Sequence, residues 1–141
     1  MIDIVTVAWG DETIERYFKY CLRSLTSKNN SYFINKFKIT INLICDQQDE
    51  KCLNKYRDTI IKEKINIIYE RSGVILLNKY NKHTSYFLKN LSIFSNQNII
   101  PLYPDAIVSF NFLQKIIETL KKKDDLEIIY LPGPKINSIA L

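Results

Sequence analysis

Carboxylates that directly follow apolar runs are the side chains of this sequence best placed to do chemistry. Asp11 follows the run over residues 2–9, Asp46 and Asp49 follow the run ending Leu43-Ile44-Cys45, and Asp105 follows the run over residues 99–104. A carboxylate at such a point can accept from a hydroxyl or a base edge, or ligate a metal ion. Lys79, Lys82 and His83 form a second group at i, i+3 and i+4. On a helix that spacing gives one cationic face, suited to holding a diphosphate without a metal. Thr6, Trp9 and Gly10 form a third, with a hydroxyl, an aromatic ring and a backbone open to close approach. Each group has a plainer role beside the chemical one. Asp11 is a natural N-cap, Asp46 is a turn former or a ligand, and Asp105 beside Pro104 is a turn residue. Trp9 and His83 are packing residues in the same plain reading.

Several chemistries are excluded by residue type. The only glycines are Gly10, Gly73 and Gly133, so neither G-x-G-x-x-G nor a G-x-x-x-x-G-K-[ST] phosphate loop is present. No G-x-S-x-G nucleophile turn appears. His83 is the only histidine, which rules out histidine-based metal clusters and leaves any catalytic triad dependent on it. Cys21, Cys45 and Cys52 are odd in number and form no C-x-x-C, against both a disulfide framework and zinc. They read as reduced, mostly buried thiols, and the expected compartment is the cytoplasm.

The formal net charge of +5 suits an anionic partner, but the charges are dispersed. The one tight run, Lys121-Lys122-Lys123, closes an expected helix where cations favour the dipole, and the aromatic residues are not interleaved with cations. Nucleic acid is therefore not an expected partner. No signal peptide is visible, and no segment approaches the roughly 20 apolar residues that span a bilayer.

The elements that must position these residues alternate in type. Residues 2–9 read as a buried strand. A helix capped by Asp11 follows, with Ile14, Phe18, Cys21, Leu22 and Leu25 as its buried stripe. Asn29-Asn30-Ser31 reads as a polar connector. Residues 38–45 form strand 2, and a helix with Leu53, Tyr56 and Ile60 on one face comes next. Strand 3 covers residues 65–69, residues 71–78 read as a loop or short extra element, and a helix runs from about residue 79 to 94. Strand 4 covers residues 98–103, where Pro101 demands an edge or an interruption. A helix with Phe112, Leu113, Ile116, Ile117 and Leu120 as apolar positions precedes strand 5 at residues 127–131. The alternation predicts a single α/β domain over residues 1–141, with an open, mostly parallel sheet of about five strands and helices on both faces. In such sheets ligands bind beyond the carboxyl ends of the strands.

Thr6-Val7-Ala8-Trp9-Gly10-Asp11-Glu12, with a helix ending Leu22-Arg23-Ser24-Leu25, resembles the opening of bacterial glycosyltransferase-like proteins of the nucleotide-diphospho-sugar transferase (GT-A) superfamily. The helix carrying Lys79, Tyr80 and His83, and the strand ending Pro104-Asp105 before Ser109, resemble later parts of the same group. The likeness runs in short pieces over residues 4–133. It implies a Rossmann-like three-layer fold and a nucleoside-diphosphate-sugar site built from Thr6 to Gly10 and Asp46. Lys79, Lys82 and His83 would meet the diphosphate, and Asp105 would be the catalytic or sugar-orienting carboxylate. Where members carry a metal-binding D-x-D, this chain reads Tyr103-Pro104-Asp105. No cofactor is therefore assigned, and Asp105 is the one position for Mg²⁺ or Mn²⁺. The acceptor-binding half of the family would follow strand 5, so the resemblance implies a truncated product, a remnant, or a subunit completed by a partner or by a second copy. Two readings stand side by side: a glycosyl transfer domain with an unknown acceptor, and a non-catalytic binding or interaction module of the same fold. A receiver-like domain fits poorly, because Asp11 and Asp46 lie at the wrong strand ends for its acidic cluster and phosphoacceptor.

Overall fold

The structure is a computed structural model that describes residues 2–71 and 98–122. Strand β1 (Ile2–Val7) is buried along its whole length, as its mostly apolar, β-branched run requires, with Asp3 its one charged residue. Helix α1 covers residues 11–25 as one rod: an α-helical start (Asp11–Arg16), a π-helical middle (Tyr17–Leu22) and a closing α-turn (Arg23–Leu25). Helix α2 is Lys28–Lys36 and strand β2 is Thr40–Asp46. Residues 47–62 form α3, in which short 3₁₀ and α turns alternate. Strand β3 is Asn66–Glu70, strand β4 is Asn98–Leu102 and helix α4 is Phe112–Lys122. Among the described residues no helix is long and apolar enough to cross a membrane.

All pairings are parallel and the strand order is β3-β2-β1-β4. The α/β class and the parallel sheet match expectation, with four strands among the described residues rather than about five. Residues 127–131, expected as strand 5, lie outside the described residues, as does the expected helix over residues 79–94. Pro101 pairs in register with Val5, and β4 has β1 as its only neighbour among the described residues, which suits a residue that cannot donate.

The sheet has two unlike faces. Ile2 and Ile4 of β1, and Ala8 just after it, turn to a large core with Ile41, Leu43 and Cys45 of β2. The expected α1 stripe of Ile14, Phe18, Cys21, Leu22 and Leu25 fills this core, joined by Tyr17, and α4 adds Leu113, Ile116 and Ile117. Val5, Val7 and Ile44 form a smaller cluster on the other face, with Trp9, Ile68 and Ile99 against it. Among the described residues all four helices thus pack on one face. A right-handed crossover running outward past β4 would place α4 on the opposite face. Instead α4 returns over α1 and α2.

Three local expectations are corrected. The N-cap of α1 is Gly10, not Asp11, because the chain turns at φ 76°, ψ 151°, a conformation open to glycine. Asp11 and Glu12 then occupy the first helical turn, where they face the positive dipole end. Residues 29–31 are not a connector but part of α2, whose Phe33 and Ile34 pack against the core. Strand β2 starts two residues late, at Thr40, because Lys38 sits in the left-handed region (φ 51°). There it ends α2 while the Ile39 N–H donates back to the Ile34 carbonyl at 3.0 Å. Lys64 (φ 52°) and the bond from Ile65 to Ile60, 3.0 Å, end α3 in the same way, which starts β3 at Asn66.

Asn30 explains why α4 returns. Its side chain is fully buried and donates to the carbonyls of Ser24 (3.1 Å) and Ser109 (3.0 Å). Its oxygen accepts from the Leu113 N–H at 3.2 Å, so a residue of α2 caps the first turn of α4. Asn30→Ala removes two part-buried bonds to carbonyls and the buried bond to the Leu113 N–H, and should cost about 2–4 kcal/mol in urea unfolding. Asn29→Ala, which removes one exposed bond to the Phe110 carbonyl, should cost less than about 1 kcal/mol. Equal losses would contradict this role for Asn30.

Candidate functional site

Parallel pairing brings the carboxyl ends of all four strands to one rim, so Trp9, Asp46, Glu70 and Tyr103 share an edge of the sheet. The strand order reverses between β1 and β4, and the turns that follow these two neighbouring strands lie side by side at this rim. A cleft of about 280 Å³ lies there, lined by Trp9, Thr13, Arg16, Tyr103, Pro104 and Asp105. One wall is the turn after β1 with the start of α1. The other is the turn after β4, closed by the bond from the Ala106 N–H to the Tyr103 carbonyl at 3.0 Å.

The first wall is held from behind by Asp49. One carboxylate oxygen accepts from the Gly10 N–H at 3.1 Å and the other from the Asp46 N–H at 3.2 Å. One buried side chain thereby ties the end of β1 to the end of β2. The Asp46 carboxylate turns inward and accepts from the Gln48 N–H at 3.0 Å, completing a capping box with Asp49. The second wall is held by Ser24 and Asn30. The Ser24 hydroxyl accepts from the Val108 N–H and donates to the Cys21 carbonyl, both at 3.0 Å.

The expected site residues separate into three sets. Trp9 and Asp105 line the cleft, and Gly10 lies in the turn between Trp9 and α1. Thr6 and Asp46 lie at the right end of the sheet but are buried away from the cleft. Thr6 bonds the Cys21 thiol, and Asp46 caps the start of α3. Lys79, Lys82 and His83 lie outside the described residues. Thr13 and Arg16 line the cleft without having been singled out. Their signal was their spacing, since both stand within two turns of Gly10 on the α1 side adjoining the buried stripe.

Arg16 supplies the cleft with a cation, and it pairs with Glu12 one turn earlier at 2.5 Å. Both groups are partly exposed, so the pair itself adds little stability. Burial disfavours the thiolate form of the cysteines. Burial pushes Cys21 up to about 12, against the hydrogen bond from Thr6, and pushes Cys52 up to about 11. Among the described residues no group of three or more His, Cys, Asp or Glu side chains is placed to hold a metal ion.

No protein-family model, curated protein or solved structure matches this chain.

Burial also raises the Asp49 carboxyl above its ordinary 3.8, against the two N–H bonds that lower it, with Asp46 and Asp11 adding repulsion. A raised folded-state value adds stability that is complete below the unfolded value and is lost as pH rises through the folded one. Asp49→Asn removes this titration. The stability of the variant minus that of the wild type, from urea unfolding, should therefore climb as pH rises through the window that starts at 3.8. A difference that stays flat or falls would show that burial does not govern this carboxylate.

Proposed function

We propose that the chain is a nucleotide-sugar-binding domain of glycosyltransferase type, taking a nucleoside-diphosphate sugar in the cleft between β1 and β4. The observation that carries the reading is the convergence of two aromatic rings, a guanidinium and a carboxylate at the reversal of strand order. Each fits one part of such a ligand. The indole of Trp9 and the ring of Tyr103 offer flat apolar surface to a base or a sugar face. Arg16 offers paired donors to phosphate oxygens. Asp105 offers an acceptor to a hydroxyl of the ribose or the sugar. The resemblance at Trp9-Gly10-Asp11 and Pro104-Asp105 falls on the two walls of this cleft, which adds to the reading.

In transfer of the sugar, the bond from its anomeric carbon to the diphosphate oxygen breaks and negative charge grows on the leaving diphosphate. Arg16 would stabilise that charge, and more so once substrate draws it away from Glu12. A divalent ion implied by the family does not fit the donor set, because Asp105 stands as a single exposed carboxylate and no group of three acidic or histidine ligands surrounds it among the described residues. No step is routed through a metal.

A second reading, binding without turnover, is favoured by the same lining. It holds one carboxylate and neither a second carboxylate nor a histidine among the described residues. Both readings require nucleotide binding, so a thermal-shift and calorimetric screen of uridine, guanosine and cytidine diphosphates and their sugars, with and without Mn²⁺, tests them together. At least one should bind saturably, and Arg16→Ala should weaken it by roughly 10- to 100-fold, the loss of one charged hydrogen-bonded contact. Product formation with a bound donor sugar separates transferase from module. Absence of saturable binding by every nucleotide would refute both.

A further inference from the structure

The loop after β4 presents apolar side chains to solvent from a backbone that is firmly fixed. Ile107 and Phe110 are 41% and 71% exposed, and Tyr103 at the start of the loop is 60% exposed. Ala106 and Val108 turn the other way and pack on the core. The backbone between is pinned at three successive residues. The Val108 N–H donates to the Ser24 hydroxyl at 3.0 Å, the Ser109 carbonyl accepts from Asn30 at 3.0 Å, and the Phe110 carbonyl accepts from Asn29 at 2.9 Å. An exposed phenylalanine on a mobile tip needs no explanation, but one whose backbone is held by three successive hydrogen bonds is preorganised for contact.

Cations adjoin in sequence the residues that hold the loop. Arg23 and Lys28 are exposed neighbours of Ser24 and Asn29, the residues that hold the loop, and Lys115 is exposed in the first turn of α4. The carboxylates nearest along the chain are Asp105 and Glu118, and Glu118 already accepts from Gln114. The whole chain carries a net charge of +5. Ile107 and Phe110 stand on an exposed loop outside the cleft, so they suit a soft, flat partner better than a peptide.

We propose that this loop is a docking surface for an anionic lipid bilayer. Ile107 and Phe110 enter the boundary between headgroups and acyl chains, Tyr103 lies at headgroup level, and Arg23, Lys28 and Lys115 meet lipid phosphates. Pro104 and Asp105 belong to the same loop, so docking would hold the mouth of the cleft beside the bilayer. The proposal does not rest on the nucleotide reading, because lipid binding is measured without nucleotide.

Cosedimentation of the whole chain with phosphatidylglycerol-containing vesicles and with pure phosphatidylcholine vesicles tests it. The chain should bind the anionic vesicles more strongly, and less so as salt is raised. Phe110→Ser and Ile107→Ser should each weaken that partition by about tenfold, the scale of withdrawing one large apolar side chain from the interface. Lys28→Glu combined with Lys115→Glu should abolish the preference for anionic lipid. The Phe110 side chain takes no part in the core, so an unfolding midpoint equal to wild type controls for folding. Failure to cosediment, or equal binding by wild type and Phe110→Ser, would overturn the proposal. So would self-association in lipid-free buffer that Phe110→Ser abolishes, which would assign the loop to a second copy of the chain.

Discussion

Backbone N–H groups at the carboxyl ends of parallel strands run out of strand partners, and here one buried carboxylate supplies them. Asp49 takes the N–H of Gly10 after β1 and of Asp46 at the end of β2. The bond to Gly10 fixes a turn that needs a positive φ, and that turn sets the direction of α1. From the direction of α1 follow the positions of Thr13 and Arg16 in the cleft. The arrangement has an electrostatic cost, because the carboxylate is removed from water beside Asp46 and Asp11, and its pKa rises in consequence.

The opposite wall depends on a different pair of polar side chains. Ser24 and Asn30 hold the loop after β4 by its backbone, and Asn30 also caps α4. The cleft is thus bounded by two independently anchored turns that meet at the reversal of strand order. Its shape comes from the bonds behind each wall. In the cleft, Arg16 is held by Glu12 in a pair exposed enough for an incoming phosphate to displace it.

Legibility in the residue pattern followed the range of the interaction. The stripe of Ile14, Phe18, Cys21, Leu22 and Leu25 and that of Leu113, Ile116 and Ile117 are set by helical periodicity, and both are buried as expected. The ends of α2 and α3 were harder to place, since each uses a lysine in the left-handed region where glycine is the usual mark. Asn30 was misread for a related reason. An asparagine between polar neighbours resembles a connector, and only its distant partners at Ser109 and Leu113 show that it belongs to a helix and to the interior. In the site, Trp9, Gly10 and Asp105 were legible because they directly follow apolar runs. Thr13 and Arg16 were not, because a helix has several sides and the neighbour that makes one of them a cleft wall is β4.

By itself, then, the order of residues determined the α/β alternation, the buried stripes and the fact that polar residues gather after strands. Those features come from local periodicity and turn chemistry, which act within a few residues. Only the tertiary structure decided that β4 pairs with β1 and that Asp46 is a cap. It also decided that Arg16 and Asp105 line the same cleft. Each of these depends on residues tens of positions apart finding one another, and the free energy that selects them is that of burying long-range partners together, which no single stretch of chain contains.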